Sequence, residues 1–398
     1  MNATDLSLTR MPEAEEEVSV DDLVELSSQA GHVLDKIRDA MLEPYPRKKA
    51  PNFTSASLAS LCGIDKPRVK YLSSKGDLPV GTSAGAGRAK VFSLEETITW
   101  VKATSKRPSR PEGARARVIA IANFKGGVTK TTTAISAAQG LTLLGRKVLV
   151  IDCDPQGSST QLCGFAPETE VDDESTLLPL FYGEETDVRY AVRNTYWHNL
   201  DLIPARIALS DVEFEVPAKL LSDRKFEFWD ILNKGLHPLL DDYDAVIIDT
   251  PPALSQLTTN ALVAADAILL PCPPEGMDFA SSTQFWRLFS EVARRLPNVK
   301  DKKRYDFVKV VMTKVKNTEL SRVVQGWLHK AYGGRVLPIL LPESSVQISA
   351  AAMLSTIYDV SKSEVNSASY ARIRQPFDQL TEFLDSRLVR AWTKEASK

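Results

Sequence analysis

Residues 118–133 read Val118-Ile119-Ala120-Ile121-Ala122-Asn123-Phe124-Lys125-Gly126-Gly127-Val128-Thr129-Lys130-Thr131-Thr132-Thr133. The opening apolar run predicts a strand buried on both faces, as in a parallel sheet covered by helices. Gly126 and Gly127 then let the backbone turn tightly enough for its N–H groups to converge on an anion. A helix starting near Lys130 adds its positive end at the same place. Lys130 supplies a point charge to the outer phosphates, and the Thr131 hydroxyl is placed for Mg2+. A glycine turn with chance lysines would leave the strand–turn–helix context unexplained.

Further apolar runs follow at Val148–Ile151, Leu200–Ile203, Ala245–Ile248, Ala267–Leu270, Phe307–Met312 and Val336–Leu340. They alternate with helical patterns and predict an α/β fold over 118–398, a mostly parallel sheet flanked by helices. Ligands of such sheets lie at the carboxyl ends of the strands. The second run leads into Asp152-Cys153-Asp154-Pro155-Gln156-Gly157-Ser158, and Val246-Ile247-Ile248 leads into Asp249-Thr250-Pro251-Pro252. Asp249 is placed to hold Mg2+ through a water, opposite Thr131; capping the next turn is the plainer role for such an acid. Asp154, just before Pro155, has the form of an N-cap with proline at the first helical position.

The pattern Lys125-Gly126-Gly127-x-x-Lys130-Thr131-Thr132 has Phe124 or Lys125 where the usual Walker A loop has its first glycine. It resembles the deviant Walker A loop of the ParA/MinD family of P-loop NTPases, and Asp152-x-Asp154-Pro155-Gln156-Gly157 is similar to the same family. Pro271-Cys272-Pro273-Pro274 with Asp278, and Tyr358-Asp359 with Ser367-Ala368-Ser369-Tyr370, extend the similarity over most of 118–385. The resemblance implies a Mg2+-dependent ATPase with Lys125, Lys130 and Asp154 as catalytic residues. Lys125 would reach the nucleotide of the opposite subunit across a sandwich homodimer, like a positive finger supplied in trans; otherwise a nearby loop carboxylate is its partner. Asp154 would orient or activate the attacking water, and Asp152 would support the ion from behind its direct ligands. ATP or ADP would be held by Lys125, Gly126, Gly127, Val128, Thr129, Lys130, Thr131, Thr132, Asp152 and Asp249, with Thr313 and Lys314 at the base and Leu341-Pro342-Glu343 lining the adenine. The implied function is plasmid or chromosome partitioning. ATP closes the dimer, closure creates a non-specific DNA face, and a ParB-like centromere-binding partner stimulates hydrolysis and release. Arg322, Arg335, Arg372, Arg374 and Arg387 are candidates for that face.

Three zones precede this domain. Residues 1–50 are an acidic tail and a helix. Ser19 and Asp22 form a capping box, and Leu23, Leu26, Ala30, Val33, Ile37 and Ala40 make a heptad stripe. Such a helix packs on its own protein or pairs with a second copy; pairing, a dimerisation role, is the expectation. Pro44 and Pro46 break the pattern.

Residues 51–104 place two short helices around Gly63. The second is capped by Asp65, carries Pro67 in its first turn, and presents Lys66, Arg68, Lys70 and Lys75 beside Val69, Tyr71 and Leu72. That is a helix-turn-helix pattern. With Gly76-Asp77-Leu78-Pro79 and Arg88-Ala89-Lys90-Val91-Phe92-Ser93 after it, the zone resembles the winged helix-turn-helix of MerR-type regulators. Lys66, Arg68, Lys70, Arg88 and Lys90 are its candidate DNA contacts; a small packing domain with a solvated basic face is the alternative. The larger plasmid-type ParA proteins share this layout, and in them the ADP state represses its own operator. Residues 105–117, with Lys106, Arg107, Arg110, Arg115 and Arg117 among Pro108, Pro111 and Gly113, predict an exposed, mobile basic linker.

Net charge is −2 over 398 residues, so DNA binding must come from local patches. Cys62, Cys153, Cys163 and Cys272 contain no Cys-x-x-Cys pair, which argues against zinc, a disulfide framework or an iron–sulfur carrier. The acidic start (Glu13, Glu15, Glu16, Glu17) is no signal peptide, and no apolar run is long enough to span a bilayer. A cytoplasmic, nucleoid-associated protein is the expectation. Two other readings stand beside partitioning. One is a MinD-like membrane-cycling ATPase, using the basic amphipathic end Leu380, Phe383, Leu384, Leu388 and Trp392 with Arg387, Arg390 and Lys394. The other is a nucleotide-sensing transcriptional repressor.

Overall fold

The computed structural model describes residues 19–41, 48–83, 90–360 and 366–397. Arg88 and the Pro44–Pro46 break lie outside them. Residues 1–48 and 49–398 form two compact units. In the first, α1 (Val20–Met41) starts at the expected box: the Ser19 amide donates to Asp22 Oδ2 at 2.7 Å, and the Asp22 amide donates to Ser19 Oγ at 3.2 Å. Leu23, Leu26 and Val33 of the stripe are exposed.

The second unit opens with β1 (Phe53–Thr54), α2 (Ser55–Cys62), α3 (Lys66–Lys75), β2 (Thr82–Ser83), β3 (Lys90–Phe92) and α4 (Leu94–Thr104). Local chemistry sets each boundary. Thr54 caps α2, and Gly63 ends it at a φ of 64°, where a side chain would be strained. Asp65 accepts from the Arg68 amide at 2.7 Å to start α3. Ser93 and Glu96 cap each other at the start of α4. The three strands pair antiparallel in the order β1-β3-β2. Leu58, Val69, Phe92, Trp100 and Val101 close a small core beneath them.

Residues 105–117 are not the free linker that their composition suggests. Arg107 pairs with Glu382 and Asp385, Arg110 with Asp244, Arg115 with Asp266 and Arg117 with Glu395. Ala114 and Ala116 are buried. Every carboxylate partner comes from far along the chain, so local composition could not show it.

The main sheet contains β4 (Arg117–Ile121), β5 (Val148–Asp152), β6 (Arg193–Asn194), β7 (Leu200–Ile203), β8 (Ala245–Asp249), β9 (Ala267–Cys272), β10 (Phe307–Val315) and β11 (Val336–Pro342). Their order is β11-β10-β9-β4-β8-β5-β7-β6, and only β6 runs antiparallel to its neighbour. All the expected strands are present. β6 was not foreseen, because Arg193 and Asn194 carry no apolar signal. Alternate residues feed opposite faces: Val118 and Ala120 join one core, Ile119 and Ile121 the other. The second core includes α5 (Lys130–Leu143) and the long helix Ser367–Ala396, whose Leu380, Leu384, Leu388 and Trp392 are buried. The amphipathic C-terminal end therefore spends its apolar side chains on its own sheet.

Gly140 in α5 lies where this helix meets Tyr358 and Thr381. A Cβ there would sit 2.8 Å from the Tyr358 hydroxyl and closer still to Thr381. Gly140→Ala should therefore cost about 1–3 kcal/mol through overpacking, read as a lower midpoint of chemical denaturation. An unchanged midpoint would mean that the helices do not meet this closely.

Candidate active site

The turn after β4 is held on three sides. Asn123 Nδ2 donates to the Pro271 carbonyl at 2.8 Å, and Asn123 Oδ1 accepts from the Lys125 amide at 3.2 Å. Thr313 Oγ1, at the end of β10, donates to the Val128 carbonyl at 3.1 Å. Gly127 and Thr129 take φ values of 72° and 70°. For Thr129 this costs on the order of 1–3 kcal/mol, which the surrounding bonds must offset. Thr129 gives α5 no side-chain cap, so the first-turn amides remain open to an anion. Lys130 is buried and its Nζ donates to the Lys125 carbonyl at 3.0 Å, closing the turn.

β5 and β8 are neighbours in register, so Asp152 and Asp249 stand side by side, both fully buried. Asp249 Oδ2 accepts from Ser159 Oγ at 2.9 Å, while Oδ1 has no partner. Asp152 Oδ1 accepts from the Asp154 amide at 3.1 Å, and Oδ2 accepts from both the amide and the hydroxyl of Thr160 at 2.8 Å. Burial pushes both carboxyls above their usual range, and for Asp152 the neighbouring Asp249 adds to the effect. The hydroxyls of Thr131 and Ser159 and the charge of Lys130 pull Asp249 the other way. Burial likewise lowers the Lys130 ammonium, against the attraction of Asp249 and Asp154. No group of three or more His, Cys, Asp or Glu able to hold a metal occurs among the described residues. An ion here would draw on hydroxyl, carboxylate, water and phosphate oxygens, the set Mg2+ prefers. The unpartnered Asp249 oxygen fits that use.

Asp154 is not the N-cap its sequence suggests. Its Oδ1 accepts from the Gln156 amide at 3.1 Å, a local turn, and the helix starts at Ser158 after Gly157 at a φ of 63°. The left-handed step at Gly157 moves the helix start beyond Asp154 and leaves its carboxyl half-buried at the site. In this single chain Lys125 has a local carboxylate: its Nζ lies 2.7 Å from Oδ2 of the buried Asp278.

The basic candidates separate. Arg322, Arg372 and Pro342 line one cavity of about 520 Å³ with Asn317. Arg335 is exposed and lies in a different depression. Arg374 is withdrawn as a DNA contact. Its guanidinium stacks 3.9 Å from the Tyr358 ring, donates to Asp378 at 2.8 Å and Tyr370 at 2.9 Å, and its side chain is only 15% exposed. Arg387 lies against the Phe383 ring. Lys66, Arg68 and Lys70 are exposed on α3, with Arg68 and Lys75 over the Tyr71 ring; Lys90 is exposed on β3. Arg88 is outside the described residues. Sequence reasoning missed Asn123, Ser159 and Thr160, because amides and hydroxyls carry no signal until the fold brings a carboxylate or carbonyl to them.

Against known proteins, a family described as an AAA domain matches residues 116–302. The chain is 28% identical over 363 residues to a putative replication protein A of Rhizobium rhizogenes, covering 88% of this chain and 89% of that one. It is 35% identical over 238 residues to the chromosome partitioning protein ParA of Caulobacter vibrioides, covering 59% of this chain and 83% of the relative. The chain belongs to the ParA family of partition ATPases. A solved structure titled partition protein shares the fold at a TM-score of 0.64 and 19% identity, over 93% of this chain and 98% of that one. No helix among the described residues is long and apolar enough to cross a membrane.

For this ParA-family chain the paired acids give a measurable prediction. A folded-state carboxyl pKa above its unfolded value makes stability fall as pH rises toward that raised value. Asp249→Asn removes one such group. It should stabilise the nucleotide-free protein more at about pH 8 than at about pH 5. Equal effects at both pH values, by thermal melting, would contradict the buried charge pair.

Proposed function

We propose that the chain is an ATP-driven DNA-partitioning switch that binds ATP with Mg2+, closes as a homodimer, holds DNA in that state and lets go after hydrolysis. One observation carries this reading: an uncapped helix start, a buried lysine and a buried acid with one unpartnered oxygen meet at a single turn. The amides of Gly126, Gly127, Val128, Thr129, Lys130, Thr131 and Thr132 face the phosphates, and Lys130 holds the outer ones. Thr131 and Asp249 would hold Mg2+, with Asp152 behind them; when bound, the ion neutralises charge on the β and γ oxygens. Asp154 positions a water for attack on the γ phosphorus. The bond to the bridging oxygen breaks, leaving ADP and phosphate. Thr313 and Pro342, at the ends of β10 and β11, border the base.

Lys125 must leave Asp278 to reach a second nucleotide. Met277 and Leu320 are exposed and line a cavity of about 340 Å³ together with Lys125. Apolar side chains beside that lysine suit a face covered by a second copy. The exposed stripe of α1 offers a second, nucleotide-independent pairing element. On this reading residues 1–50 dimerise, 51–104 form a winged helix-turn-helix that reads an operator through α3, 105–117 join the parts, and 118–398 are the ATPase. Arg322 and Arg372, which line one cavity, lead the candidates for the ATP-state DNA face, and Arg335 and Arg387 stay candidates beside them. A ParB-like partner stimulates hydrolysis, and the protein works in the cytoplasm at the nucleoid. A membrane-cycling role is less well supported, because the C-terminal helix buries its apolar side chains.

The decisive assay compares ADP, ATP and a slowly hydrolysed analogue on operator-like and random duplexes. ATP-dependent binding to random DNA is expected; its absence would favour a nucleotide-sensing repressor. Within that assay, Arg372→Ala should lower the slope of log affinity against log salt by about 1, and an unchanged slope would remove Arg372 from the face. Lys125→Ala should bind ATP but turn over at least about a hundredfold more slowly and stay monomeric in its ATPase part. Asp154→Ala should bind ATP and remain dimeric. Phosphate release and light scattering separate these outcomes, and wild-type turnover in either variant would discard its assigned role.

A further inference from the structure

A trough of about 780 Å³ lies at the amino-terminal ends of β9 and β10, where Ile268 and Val308 reach it. The nucleotide turn is at the opposite, carboxyl ends, so the two are separate. Aromatic side chains form the body of the trough: Trp286 and Phe289 from the helix Gly276–Ala293, with Tyr305 and Tyr332. Cations surround it: Arg287, Arg294, Lys300, Lys303 and Arg335, and no acidic side chain is among the lining residues. Arg287 pairs with Glu291 on its own helix. Among the described residues the other four have no carboxylate within ion-pairing distance. Lys303 is half-buried, its ammonium 5.3 Å from the Tyr305 ring centre, and burial lowers its pKa. Asp266, Asp230 and Asp306 offset only part of the cost of burying the Lys303 ammonium, and none is close enough to pair with it, so an arriving anion would relieve the rest.

We propose that this trough binds an acidic segment of a protein partner, which seats an apolar side chain on the aromatic body and sets carboxylates against Arg294, Lys300, Lys303 and Arg335. Charge complementarity selects the sign of the occupant, and a pocket of aromatic side chains ringed by arginine is the usual composition of a binding hot spot. Duplex DNA would satisfy the cations, but its bases are stacked inside the helix and its thymine methyls lie on the major-groove floor, so it has little to bury against Trp286 and Tyr305. The helix Gly276–Ala293 also carries Asp278 in its first turn, the carboxylate paired with Lys125. An occupant at the far end of that helix is thus joined to the nucleotide turn by one rigid element.

The test is a selection of displayed random peptides on the full-length chain, counter-selected on an Arg294→Glu/Lys303→Glu double variant whose ATP binding confirms its fold. The expected peptides cluster Asp and Glu around an aromatic or aliphatic residue. By fluorescence anisotropy they should bind the wild type at least about tenfold more tightly than the double variant, and Trp286→Ala should weaken them as well. Selected peptides that are basic or uncharged, or that bind the double variant equally, overturn the proposal. So does a double variant that loses affinity for a random DNA duplex while its peptide binding is unchanged, since the cations would then serve nucleic acid.

Discussion

Two carboxylates on adjacent strands, Asp152 and Asp249, are buried beside a single buried lysine, Lys130, at the mouth of a glycine turn. Ionised groups removed from water are tolerated only where charge and hydrogen bonds are nearly balanced. Here the balance is incomplete within the protein. Thr160 and the Asp154 amide satisfy Asp152, but Asp249 keeps one oxygen without a partner. On the proposed reading a divalent cation would supply the missing positive charge and a polyphosphate would be its counter-ion, so the site would take both together. Much of the remaining structure keeps these groups in place. The register of β5 against β8 fixes the two acids, and Asn123 and Thr313 fix the turn between them and the sheet.

The same economy of charge appears at the other end of the sheet. Arg107, Arg110, Arg115 and Arg117 are each neutralised by a carboxylate of the ATPase part. Arg146, nearly buried, shares Asp385 with Arg107. The segment that joins the small three-stranded part to the main sheet is thereby a clasp. The α2–α3 pair is thus fastened to the ATPase part by ion pairs to distant carboxylates. The cations around the Trp286 trough stand out against this pattern, because among the described residues Arg294, Lys300, Lys303 and Arg335 form no ion pair.

How much of this was legible beforehand depended on the range of the interaction. Strands buried on both faces announced themselves as continuous apolar runs, and every one appears with nearly its expected ends. The anion turn was equally plain, because glycine, lysine and helix start are adjacent in sequence. The cap at Asp65 acts over three residues and was read for the same reason; those at Thr54 and Ser93 emerged only with the structure. Contacts between distant segments were not. Nothing in 105–117 shows which of its arginines meet acids, and nothing near Arg374 shows that Tyr358 will stack on it. Asp154 misled because Asp-Pro is a common helix start, and a left-handed glycine three residues later displaced that start. β6 is two polar residues at an edge, held by pairing with β7 and by side-chain hydrogen bonds from Arg193 to Glu170 and Ser175 and from Asn194 to Asp201.

The most direct measurement is a titration of the full chain with ATP, with Mg2+ and again with a chelator, followed by heat and by light scattering. The expected result is saturable binding that needs Mg2+ and is accompanied by a rise in assembled mass. Binding indifferent to the metal, or no binding at all, would contradict the view that a buried, unbalanced cluster of two acids and a lysine is completed by nucleotide and ion together.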